Sequence, residues 1–215
     1  WARQELEELR KTFGWTEWCI HTGTTFVFSC TAALIVPFVR VYTAGINDAN
    51  YIQPAFAILL TLANAMHCLR LPYNIMVLAA GHYKQTQKNY IVAATINIVL
   101  SVLTVKAWGL IGVAIGTLAA MAYQTVWLAI YDSKHFVSWP MKSVIKQFAV
   151  DGITAAFIVM ISGMVTMHSV TYLSWIVLAM ITALLAIIIT ACLNFIAYKD
   201  KMMALIHIAM KGKRK

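Results

Sequence analysis

The chain has 215 residues, of which 61% are hydrophobic and 12% charged, and a formal net charge of +9. A soluble domain carries about a quarter charged residues, so half that fraction together with long apolar runs excludes an ordinary soluble fold and points to a polytopic membrane protein. The positive balance leaves three partner classes open (nucleic acid, acidic substrate, membrane surface), and the placement of lysine and arginine decides between them.

The chain opens at Trp1 without a signal-peptide pattern, which reads as a piece whose upstream part is missing. In residues 1–17, Leu6, Leu9 and Phe13 recur at helical spacing among mixed charges. That pattern predicts a short amphipathic connector lying along the cytoplasmic face. A bilayer-crossing helix needs roughly 20 mainly apolar residues, and six segments qualify: 18–40, 52–80, 89–106, 108–131, 147–168 and 171–198. The second holds Pro54 and Pro72, so a kink or tilt is expected. The last two share one uncharged run, divided at "MHSVTY", where His168, Ser169 and Thr171 cluster. Residues 132–146 form a loop, and 199–215 a basic tail. The expected fold is therefore all-α, a transmembrane bundle of six spans.

Lysine and arginine supply the orientation. Arg3, Arg10, Lys11, Lys84, Lys88, Lys134, Lys142, Lys146, Lys199, Lys201, Lys211, Lys213, Arg214 and Lys215 all fall on one side of a six-span chain. Only Arg40 and Lys106 fall on the other, with Arg70 inside a span. Retained loops are enriched in these residues, so both ends are expected in the cytoplasm. The positive charge is then a topology signal rather than a nucleic-acid footprint. Trp15, Trp18, Trp139 and Tyr198 lie near the predicted interfaces, where amphipathic rings sit. Cys19, Cys30, Cys68 and Cys192 are far apart within apolar runs, which fits buried small apolar residues rather than a disulfide or metal framework.

No aspartate or glutamate is expected deep in a span: Glu17 stands at the entry of the first, Asp48 in an external loop and Asp151 near the start of the fifth. HExxH, P-loop, GxSxG and Cys/His nucleophile patterns are absent. The chain therefore reads as a non-enzyme with no catalytic residue, no metal site and no cofactor. Arg70 is the exception to its surroundings, because an arginine at the membrane centre costs about 2.5–3.5 kcal/mol on insertion scales. At 100° per residue, His67, Arg70 and Asn74 fall within about 60° of one another, and Asn64 borders them. This stripe should face a cavity or another helix. Its functional reading is a cationic lining for an anionic substrate, since guanidinium grips phosphate in bidentate fashion; its plain reading is a structural tether. Asn97, Tyr123, Gln124 and Asn194 are further intramembrane polar residues, read first as interhelical hydrogen bonds, with Asn97, Tyr123 and Gln124 as secondary cavity candidates. "GLIGVAIGTLAA" (109–120) brings Gly109, Gly112 and Gly116 to near-helical spacing as a packing face.

The residues from 70 to 131 carry a resemblance. "LRLPYNIMVLAAGHYKQTQ" is similar to the flippase segment in which a long helix ends in an A-x-G-x-x-x-x-T cytoplasmic turn, and "NIVLSVLTVKAWGLIGVAIGTLAAMAYQTVWLAIY" resembles the two helices that follow. Together they resemble the multidrug/oligosaccharidyl-lipid/polysaccharide (MOP) exporter superfamily, nearest to O-antigen and capsule-type flippases. That resemblance implies a parent of about fourteen helices in two lobes, this chain being the last six crossings in a bacterial cytoplasmic (inner) membrane. It implies movement of a lipid-linked oligosaccharide or polysaccharide precursor between leaflets by alternating access, for polysaccharide biosynthesis at the cell envelope. The implied partners are the anionic pyrophosphate lipid, membrane lipids and glycan polymerisation or export proteins. The family does not fix a cationic position at Arg70; that assignment rests on the stripe. A cation-coupled multidrug antiporter of the same superfamily is the first alternative, and it calls for a buried carboxylate. A membrane glycosyltransferase or polymerase is the second, and it calls for a large external loop, whereas the longest here is "RVYTAGINDANY".

Overall fold

The computed structural model describes residues 5–136, 139–167 and 169–212. Of the residues used for orientation and for dividing the last two spans, Arg3, His168, Lys213, Arg214 and Lys215 lie outside them. The described residues form eight helical segments and no strand: α1 (Leu6–Tyr42), α2 (Pro54–Leu69), α3 (Leu71–Ala79), α4 (Tyr83–Trp108), α5 (Leu110–His135), α6 (Met141–Ser162), α7 (Tyr172–Ala197) and α8 (Lys199–Gly212). With α2 and α3 taken as one broken span, six helices are long and apolar enough to cross a membrane. The chain is a multi-pass, all-α membrane protein.

Several boundaries differ from the sequence reading for one reason: apolar runs mark the hydrocarbon-facing part of a helix, and the helix itself runs further. Residues 6–17 form no separate surface helix but are continuous with α1, which at 37 residues is about 55 Å long. The fourth-to-fifth loop shrinks because α5 extends to His135 and α6 begins at Met141. The tail is a helix, α8. The break between the last two spans falls at 163–171, around the expected cluster, and the Thr171 hydroxyl accepts the Ser174 N–H to cap α7.

The α2–α3 break centres on Arg70. Pro72 has no N–H to offer the Cys68 carbonyl, and its ring crowds that turn. Arg70 keeps near-helical angles (φ −82°, ψ −10°). Thr125 of α5 donates to the Met66 carbonyl at 2.9 Å, tethering the last turn of α2. α3 then ends in the turn expected from "AAGHYKQTQ". Gly81 takes φ 70°, the His82 N–H reaches back to Val77 O at 3.1 Å, and the Thr86 hydroxyl bonds His82 O.

α1 is the hub of the bundle: it packs on α2, α6 and α7, while α4 packs on α5 and α5 on α2. The expected division into a four-helix unit (18–131) and a terminal pair (147–198) is thus not a packing boundary, since α1 belongs to both sides. Polar side chains are buried as often as apolar ones among the described residues, and Leu103, Leu173 and Ile196 are largely exposed. Lipid tails are as apolar as leucine, so close fit and hydrogen bonds rather than apolar burial hold such helices together. α7 shows this in its buried face, Leu178, Thr182, Ala186, Thr190 and Asn194, at every fourth residue. The apolar cluster of Phe13, Tyr73, Met76, Val77, Leu128 and Val144 sits at the end carrying most of the lysines, called the basic end below. The four cysteines are free, but they are not buried as expected: Cys19 and Cys192 lie on the outer surface and Cys30 and Cys68 are half-buried.

Of the expected glycine face, Gly112 and Gly116 pack against α4, whereas Gly109 has nothing within 4 Å of an added Cβ and instead takes φ 55° in the α4–α5 turn. A Cβ on Gly116 would stand 2.4 Å from Ser101 Oγ and 2.9 Å from the Asn97 carbonyl oxygen, and one on Gly112 2.6 Å from the Thr104 backbone. Gly116→Val is therefore expected to cost about 1–3 kcal/mol by overpacking. Gly23→Ala, with nothing within 4 Å of the added Cβ, should stabilise α1 by up to about 1 kcal/mol. Equilibrium unfolding of the two variants in mixed detergent checks the pair; similar values for both would mean α4 and α5 do not approach this closely.

Candidate functional sites

The sequence-predicted stripe is present, and it lies on one outer face of the bundle. Arg70 is about 14 Å along the axis from the basic end of α3, counting nine residues. Its Nη2 donates to His67 Nδ1 at 2.7 Å, one turn back. Its Nη1 is buried and has no hydrogen-bond partner among the described residues. Tyr90 of α4 donates to Asn74 Oδ1 at 2.6 Å and closes the stripe on that side. Asn64 and His67 are exposed and Arg70 and Asn74 half-buried, so apart from the α4 contact the stripe borders open space. Asn64 spends its amide on the Leu60 carbonyl at 2.8 Å. It also stands at the end of a groove of about 390 Å³ between α1 and α2, lined by Phe28, Thr31, Ile35, Phe56 and Leu60 among others. The outer face of α2 is thus apolar towards one end of the bundle and cationic from His67 onward.

The secondary candidates are not gathered there. Asn97 accepts from Ser101 on its own helix at 3.1 Å, and its carbonyl lies against Gly116. Tyr123 is half-buried and Gln124 buried, both on α5. Asn194 is an interhelical link: Trp18 Nε1 donates to its Oδ1 at 2.8 Å and Thr22 to the same oxygen at 3.3 Å. Trp18 is consequently inside the bundle, 2% exposed.

A second constellation lies inside the bundle, where carboxylates expected at span entries and in a loop turn inward between the helices. Glu17, Asp132 and Asp151 are all buried, at 2%, 1% and 7% exposure. Because α6 starts at Met141, Asp151 is ten residues in, about 15 Å along the helix. Tyr73 of α3 donates to Glu17 Oε1 at 2.7 Å. His21, fully buried one turn after Glu17, meets Asp151 through Nδ1–Oδ2 at 2.6 Å, and Gln147 donates to the other Asp151 oxygen at 3.1 Å. Neither Asp132 oxygen nor His21 Nε2 has a hydrogen-bond partner among the described residues. No group of three or more histidine, cysteine or acidic side chains among them is placed to hold a metal ion. Below the seam, at the start of α8, Lys201 donates to the Gly14 carbonyl at 2.7 Å and lies over the Trp18 and Tyr198 rings. Burial pushes the Lys201 ammonium below the usual lysine range, opposed by the nearby Glu17 carboxylate. The Tyr198 phenol is pushed up to about 12, by burial first and then by Asp151 and Glu17.

The sequence held a signal for this seam. Gly14, Glu17, Trp18, His21, Thr24, Thr25 and Ser29 follow a three-and-four spacing, and Gln147, Asp151 and Thr154 do the same. Read as an inward polar face, that spacing places the carboxylates inside; counted only as apolar runs, it puts them at the rim.

No protein-family model matches the chain, and no curated protein or solved structure does either.

Removing one partner of a buried hydrogen bond leaves the other polar atom unsatisfied, at about 1–3 kcal/mol. Asp151→Ala is expected to approach the lower figure, because membrane-embedded polar contacts are weaker than this in measured cycles. The His21→Ala/Asp151→Ala double variant should cost less than the sum of the singles, with a coupling on the order of 1 kcal/mol. Additive losses in a detergent unfolding cycle would mean the 2.6 Å contact carries no energy.

Proposed function

We propose that this chain is the C-terminal part of a transporter of the MOP exporter superfamily. It moves an anionic lipid-linked oligosaccharide or polysaccharide precursor across a bacterial cytoplasmic membrane, with both ends of the segment in the cytoplasm. The observation that carries the reading is the outer face of α2 and α3. Arg70, held by His67 through one nitrogen, keeps a second nitrogen without a partner, beside Asn74 and Tyr90. The same face continues through Asn64 into the groove of about 390 Å³ between α1 and α2. A fixed guanidinium in a low-dielectric wall is suited to a diphosphate, and the apolar, threonine-bearing groove to what is attached to it. The "AAGHYKQTQ" turn and the Gly112/Gly116 packing of α4 on α5 support the family reading by their order along the chain. On this reading the face is the wall of a central cavity, and the protein works by alternating access rather than by covalent chemistry.

The buried carboxylates favour a second reading, the cation-coupled drug antiporter of the same superfamily. Asp132 in particular is buried without a hydrogen-bond partner among the described residues, which is what a cation- or proton-exchanging carboxylate requires. Their engagement with Tyr73, His21 and Gln147 gives Glu17 and Asp151 a structural duty already, so the cationic face is the better guide.

The test uses the full-length protein at matched expression. Arg70→Ala is expected to reduce glycan export at least tenfold, and Arg70→Lys to restore part of it, since an ammonium keeps the charge but loses the bidentate geometry. Undiminished export by Arg70→Ala overturns the cavity role. Unchanged glycan export together with lost drug resistance in Asp132→Asn decides for the antiporter.

A further inference from the structure

The last helix has no assigned role in transport, and its position is unusual. α7 ends at Ala197, Tyr198 leaves the helical region (φ −136°, ψ 49°), and a new helix starts at once with Lys199. Its first turn is pinned under α1 by the Lys201–Gly14 bond and the Lys201 contacts with Trp18 and Tyr198. Among the helices, α8 has α7 as its substantial neighbour. Met203, Ile206 and Met210, at i, i+3 and i+7, stay exposed as one stripe, and Leu205 and Ile208 are exposed on the opposite side of the helix. Asp200 and His207 are exposed as well, on one side of the helix within about 20° on a 100° wheel.

We infer that α8 is an interfacial helix that docks on the anionic leaflet at the basic end of the bundle, with acidic phospholipid headgroups as its partner. Three observations select that occupant. The start of α8 is fixed at the end of α7, a helix long and apolar enough to cross a membrane, which is where an interfacial helix meets the boundary between acyl chains and headgroups. The sequence from Lys199 onward, with Lys201 turned towards α1, carries Lys199, Lys211, Lys213, Arg214 and Lys215 against the single acidic residue Asp200. Lys11, Lys84, Lys134, Lys142 and Lys146 are exposed on other elements at the same end of the bundle, so the positive surface extends beyond the tail. A zwitterionic surface satisfies the apolar stripe alone, whereas an anionic one also meets the charge, and the attraction falls off within a Debye length.

The experiment reads amide hydrogen exchange of residues 202–210 in the whole chain, reconstituted in nanodiscs of phosphatidylcholine alone or with 30% phosphatidylglycerol. Protection is expected to rise about tenfold or more with phosphatidylglycerol and to fall back in 0.5 M salt. A variant with glutamine at Lys211, Lys213, Arg214 and Lys215 should lose the difference while α7 keeps its protection, which separates lost docking from lost folding. Equal protection in both lipid compositions overturns the inference, as does protection that appears only when another membrane protein is added.

Discussion

The contact on which the bundle depends is the 2.6 Å approach of His21 to Asp151. A carboxylate brought between packed helices loses much of its water, so it must be met by partners fixed in place. α1 supplies the imidazole and α6 the Gln147 amide, so both Asp151 oxygens are occupied. One turn away along α1, Glu17 receives the Tyr73 hydroxyl, and Trp18 donates to Asn194 on α7. Three consecutive positions of one helix face thereby fix α1 against α3, α6 and α7. A one-residue slip of any of them would leave a buried polar group unpaired, which is a stronger specification of register than apolar contacts provide in a membrane.

Much of the fold was legible because the physics behind it is local. Six spans follow from length and hydropathy, the α3–α4 turn from Gly81, and the α4–α5 packing from Gly112 and Gly116. What was not legible is lateral. Asp132 looked like a loop residue because the charged loop around it was counted outward from the last apolar residue, yet α5 continues to His135 and turns that carboxylate inward. Glu17 and Asp151 looked like rim residues for the same reason. Trp18 is placed near an interface by its type alone, and the sequence gives no sign that its N–H meets Asn194 inside the bundle. Which face of a helix is inside depends on its neighbours, and a sequence pattern gives the face without the neighbour.

Arg70 is the intermediate case. Its stripe was read correctly as a set, since His67 and Arg70 are hydrogen-bonded and Asn74 stands beside them with Tyr90. The expectation that the stripe faces a helix or cavity is met on one side only, by α4. The stripe and the seam lie on different sides of the same broken span, and the seam is where the bundle's own hydrogen bonds concentrate.

The break at Arg70 joins the two. α2 is tethered to α5 by the Thr125 bond to Met66, whereas α3 is tethered to α1 by Tyr73–Glu17 and to α4 by Tyr90–Asn74. Arg70 therefore sits at the joint between two segments with different anchors, and Pro72 keeps that joint from closing into a continuous helix. Its side chain reaches back to His67 on α2 while its backbone begins α3. An anion that draws the guanidinium off His67 acts on the one bond that crosses the joint by side chain along the stripe. On the proposed reading, occupancy of the cationic face is felt first in the angle between α2 and α3. Through Tyr73 that angle then reaches the seam holding α6 and α7 against α1, by a path of packed, hydrogen-bonded side chains only a few residues long.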